Sequence, residues 1–332
     1  MRALKFFGVL ILIVLVILAI LPVFLPEEVA VSERILIETN PQTVFRQVNN
    51  YKNWRSWSPF ELGDPQMKSE YSGPESGKGA IYSWTSEEMG DGNMTILQSE
   101  PYKFIQSRLE MGSSGTAFDE WNFNESGAGT EVIWTLRLKD LSYPFGRYFG
   151  AFLKSIMQPN QEKGLKRLKE VTEAFPESIT IERVDLKAQP SIVIFDSTKI
   201  AGMQTTMKKA MDELHVFMKR SNVNASGPAF ILYYNWDTTT YIKMRIGFPV
   251  FEEVKSQGRV EFYIRPSGIA AKAVSYGPYE KLGEAHDEMA KYFDEFDLTY
   301  SEKPVWEEYL IDPSNEPDST KWQTNIYYYI AE

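Results

Sequence analysis

The chain has 332 residues, of which 43% are hydrophobic and 24% charged, a composition typical of folded protein rather than disorder. Its formal net charge of −10 disfavours contact with phosphate backbones, and no basic stripe offsets it locally, so we expect no nucleic-acid partner. Cysteine is absent, which excludes disulfides, thiol nucleophiles and thiolate metal sites.

The N-terminal region contains a long apolar run over residues 6–25, FFGVLILIVLVILAILPVFL, without one charged residue. Such a run matches the hydrocarbon core of a bilayer, about 30 Å thick. Arg2 and Lys5 precede it, so the positive-inside rule predicts a cytoplasmic N-terminus and extracytoplasmic domains. A cleaved signal peptide is the alternative, but its apolar region is normally shorter and ends in small residues. We therefore predict a transmembrane anchor within residues 1–28.

A series of strand candidates and one short helix follow the apolar run. VAVSERILIE predicts a strand, and Asn40 with Pro41 predicts a helix start, because both residue types are favoured at these positions. Turn residues then separate further strand candidates, namely GAIYSWTS, GNMTILQSE, KFIQSRLEM, AFDEWNFNE and TEVIWTLRL.

A long helix is predicted over residues 144–175. Apolar residues at spacings of three and four form two stripes, and Pro159 is expected to break the helix between them. The stripes are Phe145, Phe149, Phe152 and Ile156, then Leu165, Leu168, Val171 and Phe175.

This order of elements, with the NPQTVFRQVNNYKNWRSWSPF, GKGAIYSW, SEPYKFIQSRLEM and GTEVIWTL segments, resembles the START-like (SRPBCC, polyketide cyclase/dehydrase) superfamily over residues 29–176. The resemblance implies a helix-grip fold, in which an antiparallel sheet wraps around a long C-terminal helix and usually encloses an apolar ligand cavity. Five tryptophans fall in this region: Trp54, Trp57, Trp84, Trp121 and Trp134. We expect each to fill the core, and the alternative is that some line a cavity.

Residues 177–332 contain an internal repeat of strand, helix, strand, strand. Aligning the repeats on their prolines matches Ile231 with Glu307 and Tyr233 with Tyr309. Two such units can pair their sheets about a pseudo-twofold axis and leave a cleft, which is where small-molecule sites usually form.

The same region resembles the GyrI-like effector-binding domain through GPAFILYY, MRIGFPV, SYGPYEKL, WEEYLIDP and WQTNIYYYI. The resemblance implies that Glu307 lies in a ligand cleft, where some members bind cationic aromatic compounds and others hydrolyse cyclopropane-containing compounds. Tyr276 departs from the pattern, because relatives often have histidine there. Regulators with this domain carry a DNA-binding module upstream, whereas this chain has the predicted anchor and START-like domain, so we expect no direct role in transcription.

Glu307 is the principal candidate residue. Strand alternation places it on one face with Tyr309, and Glu308 on the other with Trp306. Aromatic walls would raise the pKa of Glu307, which could then bind a cation or act as a general acid or base. The alternative is a solvated edge residue. We predict ligand contacts from Glu307, Tyr309, Tyr233, Tyr276, Tyr279 and Trp306.

Three other polar residues are expected to have no role in a ligand or metal site. Glu308 should pack its stem against the helix layer with its carboxylate in water. His215 and His286 both fall in predicted helices, far apart and without acidic partners at metal-ligand spacing. We expect no metal site and no cofactor.

The predicted architecture is α+β: a transmembrane helix, a helix-grip sheet, and a duplicated strand-helix-strand-strand domain. The favoured function is a membrane-anchored, extracytoplasmic small-molecule-binding protein, whose hydrophobic or cationic aromatic ligand is held by Glu307 and tyrosines. The alternatives are a detoxifying hydrolase with Glu307 as general acid/base, and a scaffold with vestigial pockets.

Overall fold

A computed structural model describes residues 2–110, 116–175, 179–236, 239–313 and 315–331. The chain divides into two compact units, Met1–Ser178 and Ile179–Glu332. The predicted domain boundary after residue 176 and the predicted strand end at Met111 lie outside the described residues. Both units contain antiparallel sheets and helices, which confirms the α+β class.

The apolar run forms helix α1 (Arg2–Ile20) and a 3-10 turn (Leu21–Phe24). Within the part of the chain described, no helix is long and apolar enough to cross a membrane. The predicted transmembrane anchor over residues 6–25 is therefore not supported. The α-helix ends before Pro22, which has no N–H to donate and whose ring clashes with the preceding turn.

The first unit is built on a seven-stranded antiparallel sheet of order β1-β7-β6-β5-β4-β3-β2. Its strands are β1 (Val29–Ile37), β2 (Lys68–Ser72), β3 (Ile81–Thr85), β4 (Gly92–Glu100), β5 (Phe104–Glu110), β6 (Thr116–Ser126) and β7 (Gly129–Lys139). Its further helices are α2 (Pro41–Asn49), α3 (Pro59–Gly63) and α4 (Phe145–Glu173). Every predicted strand is present, and β2 is additional.

Helix α2 begins where the sequence predicts. Asn40 is its N-cap, and the side-chain oxygen accepts a hydrogen bond from the Thr43 N–H at 2.9 Å. Pro41 occupies the first helical position, where its missing N–H leaves no hydrogen bond unmade.

The tryptophans pack together in the core of the first unit. The rings of Trp121 and Trp134 stack with centroids 4.5 Å apart, and those of Trp54 and Trp57 lie 4.8 Å apart. All four are buried, whereas Trp84 is half-buried against the same cluster. Both indole N–H groups of the stacked pair donate to the buried carboxylate of Asp119.

Helix α4 runs continuously through Pro159, so the predicted break is wrong. The Asn160 side-chain amide donates to the Ile156 carbonyl at 3.0 Å, which satisfies a backbone acceptor near the proline. Leu153 and Leu165, one on each side of Pro159, are both buried. Tertiary packing of both halves therefore keeps the helix whole.

The first apolar stripe of α4 faces the surface instead of the sheet. Phe145 is 82% exposed, and Phe149, Phe152 and Ile156 are also exposed. The buried side of this half carries Gly146 and Gly150. A Cβ at Gly150 would lie 2.5 Å from Leu141 Cδ1, so glycine allows α4 to approach Leu141 closely.

The second unit contains one eight-stranded antiparallel sheet of order β12-β9-β11-β10-β14-β15-β13-β8. Its strands are β8 (Ile181–Leu186), β9 (Gln189–Thr198), β10 (Ala229–Tyr233), β11 (Ile242–Pro249), β12 (Val260–Arg265), β13 (Gly268–Tyr276), β14 (Val305–Ile311) and β15 (Gln323–Tyr329). Its helices are α5 (Met203–Ser221) and α6 (Leu282–Glu295).

The strand order is symmetric about the central pair β10 and β14. Helix α5 packs on β9 and β11, and α6 packs on the equivalent strands β13 and β15. At the centre, Ile231 of β10 pairs directly with Glu307 of β14. The two repeats therefore share one continuous sheet, and the two helices lie on either side of its central strands.

Candidate ligand site between the two repeats

Glu307 lies on the central strand β14 and is only 4% exposed. Its Oε2 accepts hydrogen bonds from the Tyr309 hydroxyl at 2.5 Å and from the Tyr233 hydroxyl at 3.2 Å. This burial excludes the alternative that Glu307 is a solvated edge residue.

The two tyrosines are equivalent positions of the repeat. Because β10 and β14 are antiparallel, Tyr233 and Tyr309 reach the carboxylate from opposite directions along the strands. Burial, and then the charge of Glu307, raise the pKa of both phenols well above the usual value. Both therefore stay protonated and act as donors that hold the carboxylate in place.

The other carboxylate oxygen contacts His286, a residue that was predicted to have no role in a site. His286 Nε2 on α6 lies 3.1 Å from Glu307 Oε1, and its Nδ1 lies 2.9 Å from the Tyr328 hydroxyl. Burial raises the pKa of Tyr328 to about 12. Hydrogen bonds thus connect Tyr328, His286, Glu307 and Tyr309. The one available signal in the sequence is that His286 and Glu307 belong to the same repeat.

Further aromatic rings surround the two tyrosines. Tyr279, in the 3-10 turn before α6, lies edge-on to Tyr309 with ring centroids 5.5 Å apart. Its ring centroid is 4.9 Å from that of Trp322. The exposed ring of Trp236 lies edge-on to Tyr233 at 5.2 Å. Tyr279 was predicted in the site, whereas Trp236 and Trp322 were not.

Two predicted site residues lie on the opposite face of the sheet. Trp306 stacks on Tyr327 with centroids 3.8 Å apart, and the Arg265 guanidinium lies 3.8 Å from the Trp306 centroid. Tyr276 is 63% exposed, and its strand position is three residues from Ala273, which belongs to the cross-strand row of Glu307. An odd separation places it on the other face.

Glu308 also differs from its predicted environment. It lies on the face opposite both helices, where its carboxylate accepts hydrogen bonds from the Tyr327 hydroxyl at 3.0 Å and the Asn325 amide at 3.2 Å. The expectation that it packs against the helix layer is wrong because α6 covers the face of Glu307, as the His286 contact requires.

This arrangement offers two kinds of chemistry. A buried carboxylate walled by aromatic rings can neutralise a cation, and a carboxylate paired with histidine can also accept and pass on a proton. Among the described residues, no group of three His, Asp or Glu side chains is placed to hold a metal ion.

Two family models match the chain. Residues 28–173 match the family described as polyketide cyclase / dehydrase and lipid transport, and residues 180–330 match the GyrI-like small molecule binding domain. No curated protein sequence matches the chain.

Solved structures resemble the chain at low identity. The match to a chain of the EcmrR–DNA complex has 14% sequence identity and a TM-score of 0.44. It covers 57% of this chain and 70% of the matched chain. The match to the EcmrR C-terminal domain has 16% sequence identity and a TM-score of 0.39. It covers 47% of this chain and 98% of the matched chain. The match to the Aha1 dimer from Colwellia psychrerythraea has 14% sequence identity and a TM-score of 0.33. It covers 44% of this chain and 97% of the matched chain. The two family matches support a chain that joins a polyketide cyclase-like segment to a GyrI-like small-molecule-binding segment.

Proposed function

We propose that this protein binds small aromatic cations between the two repeats of its second unit, with Glu307 as the counter-ion. The observation that carries the proposal is the burial of this carboxylate under aromatic rings, with two phenols donating to the same oxygen. Removing a carboxylate from water is costly, and a bound cation offsets that cost.

The rings around Glu307 favour a cation with delocalised or quaternary charge. Such a charge is weakly hydrated and is attracted to ring faces, and Tyr279, Trp322 and Trp236 supply rings within reach of the two tyrosines. Half-buried methionines of α5 pack against the hydrophobic cluster that contains Tyr233. Methionine adapts its shape readily, which suits ligands of varied outline.

The matched probes are benzyltrimethylammonium and its neutral carbon isostere, neopentylbenzene, with affinities measured by titration calorimetry. We expect the wild type to prefer the cation. Glu307→Gln should weaken cation binding at least about tenfold, which is 1.4 kcal/mol, and leave the neutral probe unchanged. Glu308→Gln is the control, because its carboxylate lies on the other face. Equal cation affinity in wild type and Glu307→Gln would refute the proposal.

A hydrolase is the second candidate, and the His286–Glu307 contact is the observation that favours it. Glu307 would take a proton from the water that attacks one carbon of an electrophilic three-membered ring. The ring bond at that carbon would break, and the proton, shared with His286, would pass to the ring atom that leaves with the electron pair. Product formation from such a compound should then disappear in Glu307→Gln while ligand affinity remains. If no substrate is turned over by the wild type while cations still bind, the binding function stands. If no ligand raises the melting temperature, the scaffold function stands.

We also propose a location from the sequence: attachment through residues 6–25, with both units outside the cytoplasm. Support comes from the continuous exposure of apolar side chains along α1, from Leu10 to Leu18, because such a surface disfavours water. Pelleting with membranes and resistance to carbonate extraction would agree with membrane attachment. Protease sensitivity in spheroplasts would agree with both units lying outside the cytoplasm. Recovery in the soluble fraction would contradict the location.

The absence of a nucleic-acid partner is likewise a proposal, and it rests on the net charge of −10. A duplex DNA titration at low salt tests it directly. Retention of DNA that declines steeply as salt rises would contradict the proposal.

A further inference from the structure

The first unit contains a second buried carboxylate, Glu61 on α3. Its side chain is only 8% exposed, and its Oε2 lies 3.6 Å from Nε of Arg55, a side chain that is 67% exposed. The other oxygen, Oε1, is buried and accepts no hydrogen bond. A buried carboxylate oxygen without a donor is unusual, because such groups are normally hydrogen-bonded.

Two tyrosines on neighbouring strands adjoin this carboxylate. Tyr71 of β2 pairs with Tyr82 of β3, and their rings stack with centroids 5.6 Å apart. The Tyr71 hydroxyl is also buried without a hydrogen-bond partner. The Tyr82 hydroxyl contacts Met67 Sδ at 3.3 Å.

The electrostatics of the cluster favour a positively charged donor. Burial raises the pKa of Glu61, and the Tyr82 phenol and the Arg55 guanidinium oppose that rise. Burial also raises the pKa of Tyr71, with the charge of Glu61 acting in the same direction, so this phenol remains neutral. A cation here would meet a carboxylate oxygen and a phenol oxygen that both lack a hydrogen-bond partner.

We propose that this cluster is a binding site for a small organic ammonium ion. The ammonium donates to Glu61 Oε1 and to the Tyr71 hydroxyl oxygen, two buried oxygens without a hydrogen-bond partner. Arg55 is the internal competitor, since its exposed guanidinium already lies beside the other carboxylate oxygen. The site belongs to the first unit and is independent of Glu307.

The test is a ligand-observed NMR titration of the full chain with n-butylammonium, with n-butanol as the neutral probe. We expect Glu61→Gln to weaken ammonium binding at least tenfold and Arg55→Ala to strengthen it several-fold, because the competing cation is gone. Glu70→Gln is the matched control, since Glu70 lies on β2 but is exposed on the outer face. Glu307→Gln should also leave this binding unchanged, which separates the two sites.

Three outcomes would overturn the site: equal ammonium affinity in wild type and Glu61→Gln, equal affinity for butanol and butylammonium, or loss of binding in Glu307→Gln alone. If Glu61→Gln fails to fold, as judged by circular dichroism, Arg55→Ala decides the matter. A folded Arg55→Ala variant with no gain in ammonium affinity would reject the proposal, because a purely structural salt bridge predicts no such gain.

Discussion

Ile231 and Glu307 pair directly across the central antiparallel strands of the second unit, and they occupy equivalent positions of its two repeats. The pseudo-twofold axis of the repeat therefore passes between an aliphatic side chain and a carboxylate. The tyrosines two residues further along each strand are retained in both halves and converge on the single carboxylate. The break in symmetry thus creates one polar point in an otherwise apolar layer.

A second carboxylate on the axis should be strongly destabilising. Ile231→Glu would bury two like charges on directly opposed residues, where one carboxylate already uses the available donors. We expect the free energy of unfolding to fall by about 3 kcal/mol or more. Urea denaturation measures the loss, and Ile231→Val, with an expected cost of about 0.5–1.5 kcal/mol, is the control. A similar cost for both variants would show that the axis tolerates charge.

The two phenols should contribute unequally to holding Glu307. The Tyr309 hydrogen bond is shorter, at 2.5 Å against 3.2 Å for Tyr233. Tyr309→Phe should therefore lower the free energy of unfolding by about 1.5–3 kcal/mol, the range for hydrogen bonds to charged groups, and Tyr233→Phe by less. A double-mutant cycle with Glu307→Gln should show coupling for both tyrosines. Additive costs would mean that the phenols do not act through the carboxylate.

The first unit should lose stability as pH rises, because burial raises the pKa of Asp119 from 3.8 to about 6. The folded state binds this proton more tightly than the unfolded state, so the stabilisation is complete below pH 3.8 and is lost as pH rises through 6. The difference corresponds to about 3 kcal/mol. Urea denaturation from pH 4 to 7 should show this slope in the wild type relative to Asp119→Asn. Parallel pH profiles for both proteins would contradict it.

Alanine substitution should change the free energy of unfolding in opposite directions at two helical glycines. A Cβ at Gly164 of α4 would lie 2.8 Å from Pro59 and 2.9 Å from the Trp134 ring, both stiff groups. Gly164→Ala should therefore cost about 1–3 kcal/mol. A Cβ at Gly283 of α6 would meet no atom within 4 Å, so Gly283→Ala should gain about 0.5–1 kcal/mol from helix propensity. Thermal denaturation compares the pair, and a gain in both would show that α4 yields at this contact.

Local sequence signals are sufficient for most elements. The N-cap at Asn40, the strands of the first sheet other than β2, and the duplication each follow from short-range preferences or from self-similarity. In the second unit, each repeat opens with a segment that the strand-helix-strand-strand pattern takes as one strand but that forms two: β8 and β9 in the first repeat, β12 and β13 in the second. Pro266 and Gly268, the latter with φ of +146°, make the turn between β12 and β13.

The amino-acid sequence alone is enough to show that Glu307 replaces an aliphatic residue at a repeated strand position, because the repeat and the two-residue period of a strand are both visible in one dimension. What Glu307 contacts depends on the fold in three dimensions. Helix α6 has to pack on β13 and β15 before His286 can meet the carboxylate, and no spacing along the chain specifies that approach. The same reason explains the outward Phe145 stripe and the unbroken α4: a periodic pattern defines a helix face, but long-range packing chooses which face is buried.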